Sequence, residues 1–135
     1  IFWTLATFSY SAWIYYLSSG VVEVPLPDFP FQDKVLHMTA YGILATTTWL
    51  MLRQWPFFQR PWIWAWIYAS VYGVTDEWHQ YYVPGRYVDV WDCVADAVGA
   101  ALFLTLLEYI HHRRENVKDP EIYFHSPKSA QRVAQ

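Results

Sequence analysis

Ionisable and polar side chains end an otherwise apolar, aromatic segment of this sequence. The stretch Trp62–Gly73 carries no charge. Shortly after it come four polar residues: Asp76, Glu77, His79 and Gln80. A charged side chain at the centre of a membrane helix costs roughly 2.5–3.5 kcal/mol, so acids in such a place indicate a functional site. We therefore expect the chemistry of this protein to lie between Ser70 and Arg86.

Further polar residues recur at helical spacing in two other apolar segments. Asp33, His37 and Tyr41 are four residues apart, as are Asp92 and Asp96. Side chains three or four residues apart share one face of a helix, so each set forms a polar stripe. The candidate pocket residues are Asp33, His37, Tyr41, Asp76, Glu77, His79, Gln80, Arg86, Asp92 and Asp96.

Three kinds of chemistry are compatible with these stripes. Imidazole and carboxylate ligands suit Zn, Mn or Fe(II), and the ligands of such an ion would be His37 and His79 with Asp33, Asp76, Glu77 or Asp92. The spacing differs from the HExxH signature, so no metal is assigned. A carboxylate beside a histidine also suits proton transfer, whereas ion pairs of Arg86 with an acid would only lock the helices together. The three interpretations stay open, and the sequence assigns neither a cofactor nor an enzymatic activity.

The composition favours a membrane protein. Of 135 residues, 55% are hydrophobic and 21% aromatic, and only 16% are charged, against roughly 25% in soluble domains. Four segments are long enough to cross a bilayer as helices: Phe2–Ser19, Val35–Arg53, Trp62–His79 and Trp91–Ile110. We predict an all-α, four-helix transmembrane bundle with short connections over residues 1–110 and a polar cytoplasmic tail over residues 111–135.

Other sequence features exclude several classes. A net charge of −3 without a basic, aromatic-interleaved patch argues against a nucleic-acid partner. The single cysteine, Cys93, excludes an internal disulfide. Three prolines in residues 20–32 predict an extended or turn connection there. Ile1 already lies inside an apolar run, so we expect either a cleaved N-terminus or residues that precede it.

Charge placement predicts an orientation in the membrane. Lys34 and Arg86 fall on one side of the predicted bundle. The other seven basic residues fall on the opposite side: Arg53, Arg60, Arg113, Arg114, Lys118, Lys128 and Arg132. The positive-inside bias places both termini in the cytoplasm and the polar stripes near the outer surface.

The polar motifs resemble the VanZ-like family of bacterial membrane proteins. The resemblance runs from about Asp33 to Leu104 and rests on three pieces of sequence in a fixed order. These are Asp33-Lys34-x-x-His37-x-x-x-Tyr41, then Tyr72-Gly73-x-x-Asp76-Glu77-x-His79-Gln80, and then Pro84-Gly85-Arg86 with Asp92. The family often carries Asn where this chain has Asp96. The resemblance implies a bacterial inner-membrane protein and an association with teicoplanin tolerance.

Two functions from different classes follow from these observations. In the first, an outward polar pocket binds or processes a polar or lipid-linked cell-envelope molecule, with Arg86 as the contact to an anionic group. We expect Arg86 to be removable at little cost to folding and Asp76 to belong mainly to the buried network. In the second, the protein is a non-catalytic accessory or assembly subunit whose partners are other membrane proteins.

Overall fold

The computed structural model describes residues 1–20 and 29–118, and this part of the chain is built from four α-helices. Helix α1 spans Phe2–Ser18, α2 spans Gln32–Leu52, α3 spans Pro61–Gln80 and α4 spans Val90–Lys118. The predicted all-α class with four helices is confirmed. Pro61 occupies the first turn of α3, where its missing N–H has no helical partner to lose.

Two helix boundaries differ from the prediction in ways that affect the site. Helix α2 begins at Gln32, before the predicted start at Val35, so Asp33 and Lys34 lie in its first turn. Helix α4 continues past Ile110 to Lys118, because polar residues with high helix propensity extend it. Most of the predicted proline-rich connection (residues 21–28) and of the polar tail (residues 119–135) lies outside the described residues.

Glycines allow α4 to approach α2 and α3 closely. A Cβ atom added to Gly99 would overlap the backbone of Met38 in α2, and one added to Gly73 in α3 would lie 2.5 Å from Oδ2 of Asp96. Small residues at helix crossings are typical of membrane bundles, where they let backbones approach. This packing brings the first turns of α2 and α4 and the last turn of α3 to one end of the bundle, called here the polar end.

Helix α1 packs on α3 through hydroxyl groups. Oγ of Ser11 lies 3.0 Å from the hydroxyl of Tyr68, and the hydroxyl of Tyr72 donates to the carbonyl oxygen of Ser11 at 2.7 Å. Ser11 and Thr7 are buried and also bond to carbonyls of their own helix. These bonds orient α1 so that its last turn lies beside the end of α3.

Much of the outer surface of the helices is apolar. Exposed large side chains include Phe2 and Leu5 in α1, Trp64 in α3 and Leu102 in α4. Soluble proteins rarely expose continuous apolar surface on this scale. Two helices, α2 and α4, are long and apolar enough to cross a membrane.

The chain divides into two units, residues 1–105 and residues 106–135. In the described part of the second unit, α4 is supported by pairs one turn apart. Nε of Arg113 donates to the hydroxyl of Tyr109 at 3.0 Å, and Nε2 of His111 lies 3.1 Å from a carboxylate oxygen of Glu115. Such pairs stabilise a helix whose polar sequence has no apolar face to bury.

Candidate functional site

Lys34 is the centre of an ion-pair cluster at the polar end. Its ammonium group lies 2.6 Å from Oδ2 of Asp89 and 3.4 Å from Oδ2 of Asp33, and it also donates to Asp92. Asp92 is buried, whereas Asp33 and Asp89 are largely open to solvent. A single lysine therefore ties the first turn of α2 to the beginning of α4.

Asp89 caps helix α4. Its Oδ1 atom accepts a hydrogen bond from the backbone N–H of Trp91 at 2.9 Å, which satisfies one of the free donors at the helix start. The hydrogen bond from Lys34 holds the pKa of the Asp89 carboxyl below its usual value, and the Trp91 amide adds to this effect. The cap and the ion pair thus depend on the same ionised carboxylate.

His37 lies between two acids of α4, one helical turn below Lys34. Its Nδ1 atom is 2.9 Å from Oδ1 of Asp96, and its Nε2 atom is 4.0 Å from Oδ2 of Asp92. Asp96 is fully buried, so its carboxylate fixes the imidazole ring in one orientation. This arrangement can hold a proton on His37 and present the ring to the space beside it.

That space is a cavity of about 290 Å³ between α1, α2 and α3. The sequence candidates that line it are Asp33, His37, Tyr41, Asp76, Gln80 and Arg86. The remaining wall is formed mainly by apolar side chains of α1 and α2: Ile14, Leu17, Leu36 and Ala40, with Ser18 beside them. The cavity is therefore amphipathic, lined by both acidic and aliphatic side chains.

Two buried polar atoms of the cavity wall lack partners. Gln80 donates to Oδ2 of Asp76 at 3.2 Å, but no described group bonds to Oδ1 of Asp76. The hydroxyl of Tyr41 lies close to Asp76, yet within the described residues it makes no hydrogen bond of normal geometry. Asp76 is 5% exposed and Tyr41 is 1% exposed. Each orphaned buried group costs about 1–3 kcal/mol, so a ligand or water that bonds to them is favoured.

Glu77 is a sequence candidate that does not line the cavity. Being one residue after Asp76, it points about 100° away around the helix, toward α4. There its Oε2 atom accepts the backbone N–H of Asp89 at 3.1 Å. Glu77 thus helps to hold the beginning of α4.

His79 also lies apart from the cavity, although the sequence stripe groups it with Asp76. Its Nε2 atom is 3.1 Å from Oγ of Ser19, and its ring stacks on Tyr15 with centroids 4.4 Å apart. The reason is geometric. Residues i+3 and i+4 lie about 60° and 40° to opposite sides of residue i, so Gln80 stays beside Asp76 while His79 turns toward α1.

Arg86 makes contacts that the sequence interpretation does not anticipate. Its Nε atom donates to the carbonyl oxygen of Gly20 at 3.0 Å, and Nη2 donates to that of Leu17 at 2.8 Å. These are backbone groups at the end of α1, where helical carbonyls have no partners of their own. Arg86 is thus a structural tie as well as a wall of the cavity, which argues against the expectation that it can be removed at little cost.

A candidate metal-ligand trio exists, but it contains only one of the two expected histidines. Ligand atoms of Asp33, His37 and Asp92 all lie within 4.8 Å of one another. His79 and Asp76 are not members of this trio. The ammonium group of Lys34 already contacts both carboxylates of the trio and supplies the positive charge there.

The sequence interpretation missed Lys34 as a central residue and missed the contribution of α1. A lysine in the first turn of an apolar helix, in a chain with only 16% charged residues, is the signal that identifies Lys34. Ile14 and Leu17 carry no such signal, because aliphatic residues of an apolar helix look alike whether they lie on its outer surface or line a cavity.

The comparisons with known proteins agree with the motif resemblance. No curated protein and no solved structure shows a significant match to the chain. A family match covers residues 2–111, which adds helix α1 to the region carrying the motifs. The resemblance seen in the motifs is thereby confirmed, and the chain belongs to the VanZ/LLP1 family.

Proposed function

We propose that this protein is a multi-pass protein of the bacterial inner membrane whose cavity binds the polar part of a lipid-linked cell-envelope molecule. The cavity supports this because its wall contains both apolar side chains, which suit a lipid chain, and polar side chains, which suit a headgroup. Leu17 and Leu36 offer an aliphatic wall, and His37 and Asp76 offer polar groups within the same 290 Å³. Pockets with an apolar lining and a few placed polar groups are the usual form of ligand sites.

The unpartnered atoms of Asp76 and Tyr41 are the observation that carries the proposal. Buried polar groups in folded proteins are almost always hydrogen-bonded. Glu77 and Asp96 also keep one orphaned carboxylate oxygen each among the described residues, but neither side chain lines the cavity. A polar group that enters the cavity would therefore form its most favourable hydrogen bonds with Asp76 and Tyr41.

The proposal includes the orientation of the chain. With Arg53 and Arg60 in the connection between α2 and α3, the positive-inside bias puts the polar end outside the cytoplasm. The cavity then faces the compartment in which envelope precursors and glycopeptides act. A reporter that is active only outside the cytoplasm should be silent when fused after Gln135 and active when inserted between Val24 and Asp28. The reverse pattern would contradict this orientation.

The association of VanZ-like proteins with teicoplanin tolerance motivates the link to the envelope. We infer that occupancy of the cavity is what changes tolerance in cells. A variant with a filled cavity should then be expressed normally and give no increase in tolerance.

The binding test compares a filled cavity with an intact one. Ala40→Leu adds bulk at the cavity wall, and Ala101→Leu adds the same bulk at an exposed position of α4. Native mass spectrometry of the protein extracted from bacterial membranes should show a co-purifying envelope lipid on the wild type and on Ala101→Leu. Ala40→Leu should lose it. Equal lipid on all three proteins would show that the cavity is not the binding site.

A further inference from the structure

The cationic groups at the polar end are already engaged. Lys34 contacts Asp33, Asp89 and Asp92, and the guanidinium of Arg86 bonds to two backbone carbonyls. The imidazole of His37, which can hold a proton, lies against Asp96. Among the described residues, no cation lies within ion-pair distance of Asp76. A buried carboxylate without a counter-charge is costly, so its site favours a ligand that brings a positive charge.

The free atoms around Asp76 define what that ligand must offer. Oδ1 of Asp76 is an acceptor, and the hydroxyl oxygen of Tyr41 can accept as well. Gln80 already donates to the other oxygen of Asp76. A group with several N–H donors and a positive charge satisfies both free acceptors, and a primary ammonium has three such donors. A sugar hydroxyl would satisfy one acceptor but would leave the charge of Asp76 uncompensated.

A group of the opposite charge, Arg86, also lines this cavity. Arg86 is only partly buried. A guanidinium has five N–H donors, and the two bonds to the end of α1 leave others for a ligand. The cavity thus offers an anionic subsite at Asp76 and a cationic one at Arg86.

We propose that the ligand carries a primary ammonium group, bound by Asp76 and Tyr41, together with an anionic group that lies beside Arg86. This chemistry is that of an ammonium–phosphate or ammonium–carboxylate zwitterion. The aliphatic wall of Ile14, Leu17 and Leu36 would take the first carbons of an attached chain. The inference rests on the proposed function, because it names the class of molecule that the same cavity binds.

The test uses the full chain, delipidated in a mild detergent and offered three phospholipids with identical acyl chains. Phosphatidylethanolamine has the primary ammonium, phosphatidylcholine has a cation without N–H donors, and phosphatidylglycerol has no cation. Native mass spectrometry should show phosphatidylethanolamine bound at least tenfold more tightly than the other two. Equal binding of the three lipids to the wild type would overturn the inference.

Two variants locate the preference in the cavity. Asp76→Asn keeps the side-chain shape and removes the charge, and Tyr41→Phe removes the hydroxyl. Both should bring phosphatidylethanolamine close to the level of phosphatidylglycerol. The matched controls Glu115→Gln and Tyr87→Phe change exposed residues and should keep the tenfold preference. Retention of the preference in both cavity variants would overturn the inference even if one of them were poorly folded.

Further experiments distinguish a soluble zwitterion from a membrane lipid as the ligand. They also distinguish failure of the ammonium assignment from failure of the proposed function. Displacement of the lipid by soluble glycerophosphoethanolamine supports recognition of a free zwitterion, and failure to displace it supports a membrane lipid as the source. If the wild type binds the three lipids equally and Ala40→Leu abolishes that binding, the cavity still binds lipid and only the ammonium assignment falls. If Ala40→Leu changes nothing, the proposed function itself falls.

Discussion

The imidazole of His37 in α2 lies 2.9 Å from a carboxylate oxygen of Asp96 in α4, and Asp96 is fully buried. The two residues are far apart in sequence, so their contact fixes the register of the two helices at the polar end. The same pair aims the imidazole into the cavity. The contact between His37 and Asp96 therefore serves both the packing of the two helices and the proposed binding cavity.

Removal of His37 should destabilise the bundle. His37→Ala leaves the buried carboxyl of Asp96 without its partner, and breaking a buried pair costs about 3–5 kcal/mol. Asp96→Asn in the same chain should recover part of this loss, because a neutral amide needs no counter-charge. Thermal or SDS unfolding in detergent measures both effects, with His112→Ala, an exposed position of α4, as the control. Strictly additive effects of the two changes would show that the residues are not coupled.

Replacement of Lys34 should change how stability depends on pH. The bond from Lys34 lowers the pKa of Asp89 in the folded state, so its contribution is present above the unfolded value, near pH 4, and is lost as the pH falls further. Lys34→Met lacks this contribution. Its melting temperature should be lower than that of the wild type at pH 7 and should approach it below about pH 4. A gap that stays constant from pH 7 to pH 3, or an equal gap for Arg60→Met, would contradict the ion-pair cluster.

Arg86→Ala should loosen the end of α1. The variant loses two hydrogen bonds from a charged donor, which is worth about 1–3 kcal/mol for this partly exposed side chain. Hydrogen exchange should become faster near the end of α1, and the melting temperature should fall. The matched variant Arg114→Ala changes an exposed arginine outside the cavity and should alter neither measurement. If Arg86→Ala also leaves both unchanged, Arg86 acts on a ligand alone and the tie to α1 has no energetic weight.

The close approach of α4 to α2 gives a prediction at Gly99. Any side chain there must push against the backbone of Met38, and backbone cannot rotate away. Gly99→Leu should destabilise the bundle by about 1–3 kcal/mol or more. Ala101→Leu, two residues further along and exposed, should be nearly neutral. Similar melting temperatures for the two variants would show that the helices are further apart than described.

Helix positions were predictable because apolar runs and prolines mark them directly. The predicted start and end of α1 and α3 fall within one residue of the observed helices. The end of α4 was not predictable from the sequence, because pairs such as His111 with Glu115 extend the helix where no apolar residue indicates it.

For the site, the sequence predicted which polar residues share a face of each helix but not which of them meet across helices. Which side chains meet depends on rotations of a few tens of degrees, which separate Gln80 in the cavity from His79 outside it. The bonds of Arg86 to α1 join residues 66 and 69 positions apart, and their acceptors are carbonyls that every residue possesses. No sequence pattern distinguishes such acceptors.

The central claim is that an envelope molecule occupies the cavity of this chain and contacts Asp76. A photoreactive diazirine analogue of leucine in place of Leu36 puts a cross-linking group in the cavity wall without filling the cavity, in the intact protein in bacterial membranes. The account predicts one dominant lipid-derived adduct at position 36 that is lost with Asp76→Asn, and a mixture of bulk lipids from the exposed position 102 that does not change. The same adducts from both positions, unaffected by Asp76→Asn, would contradict it.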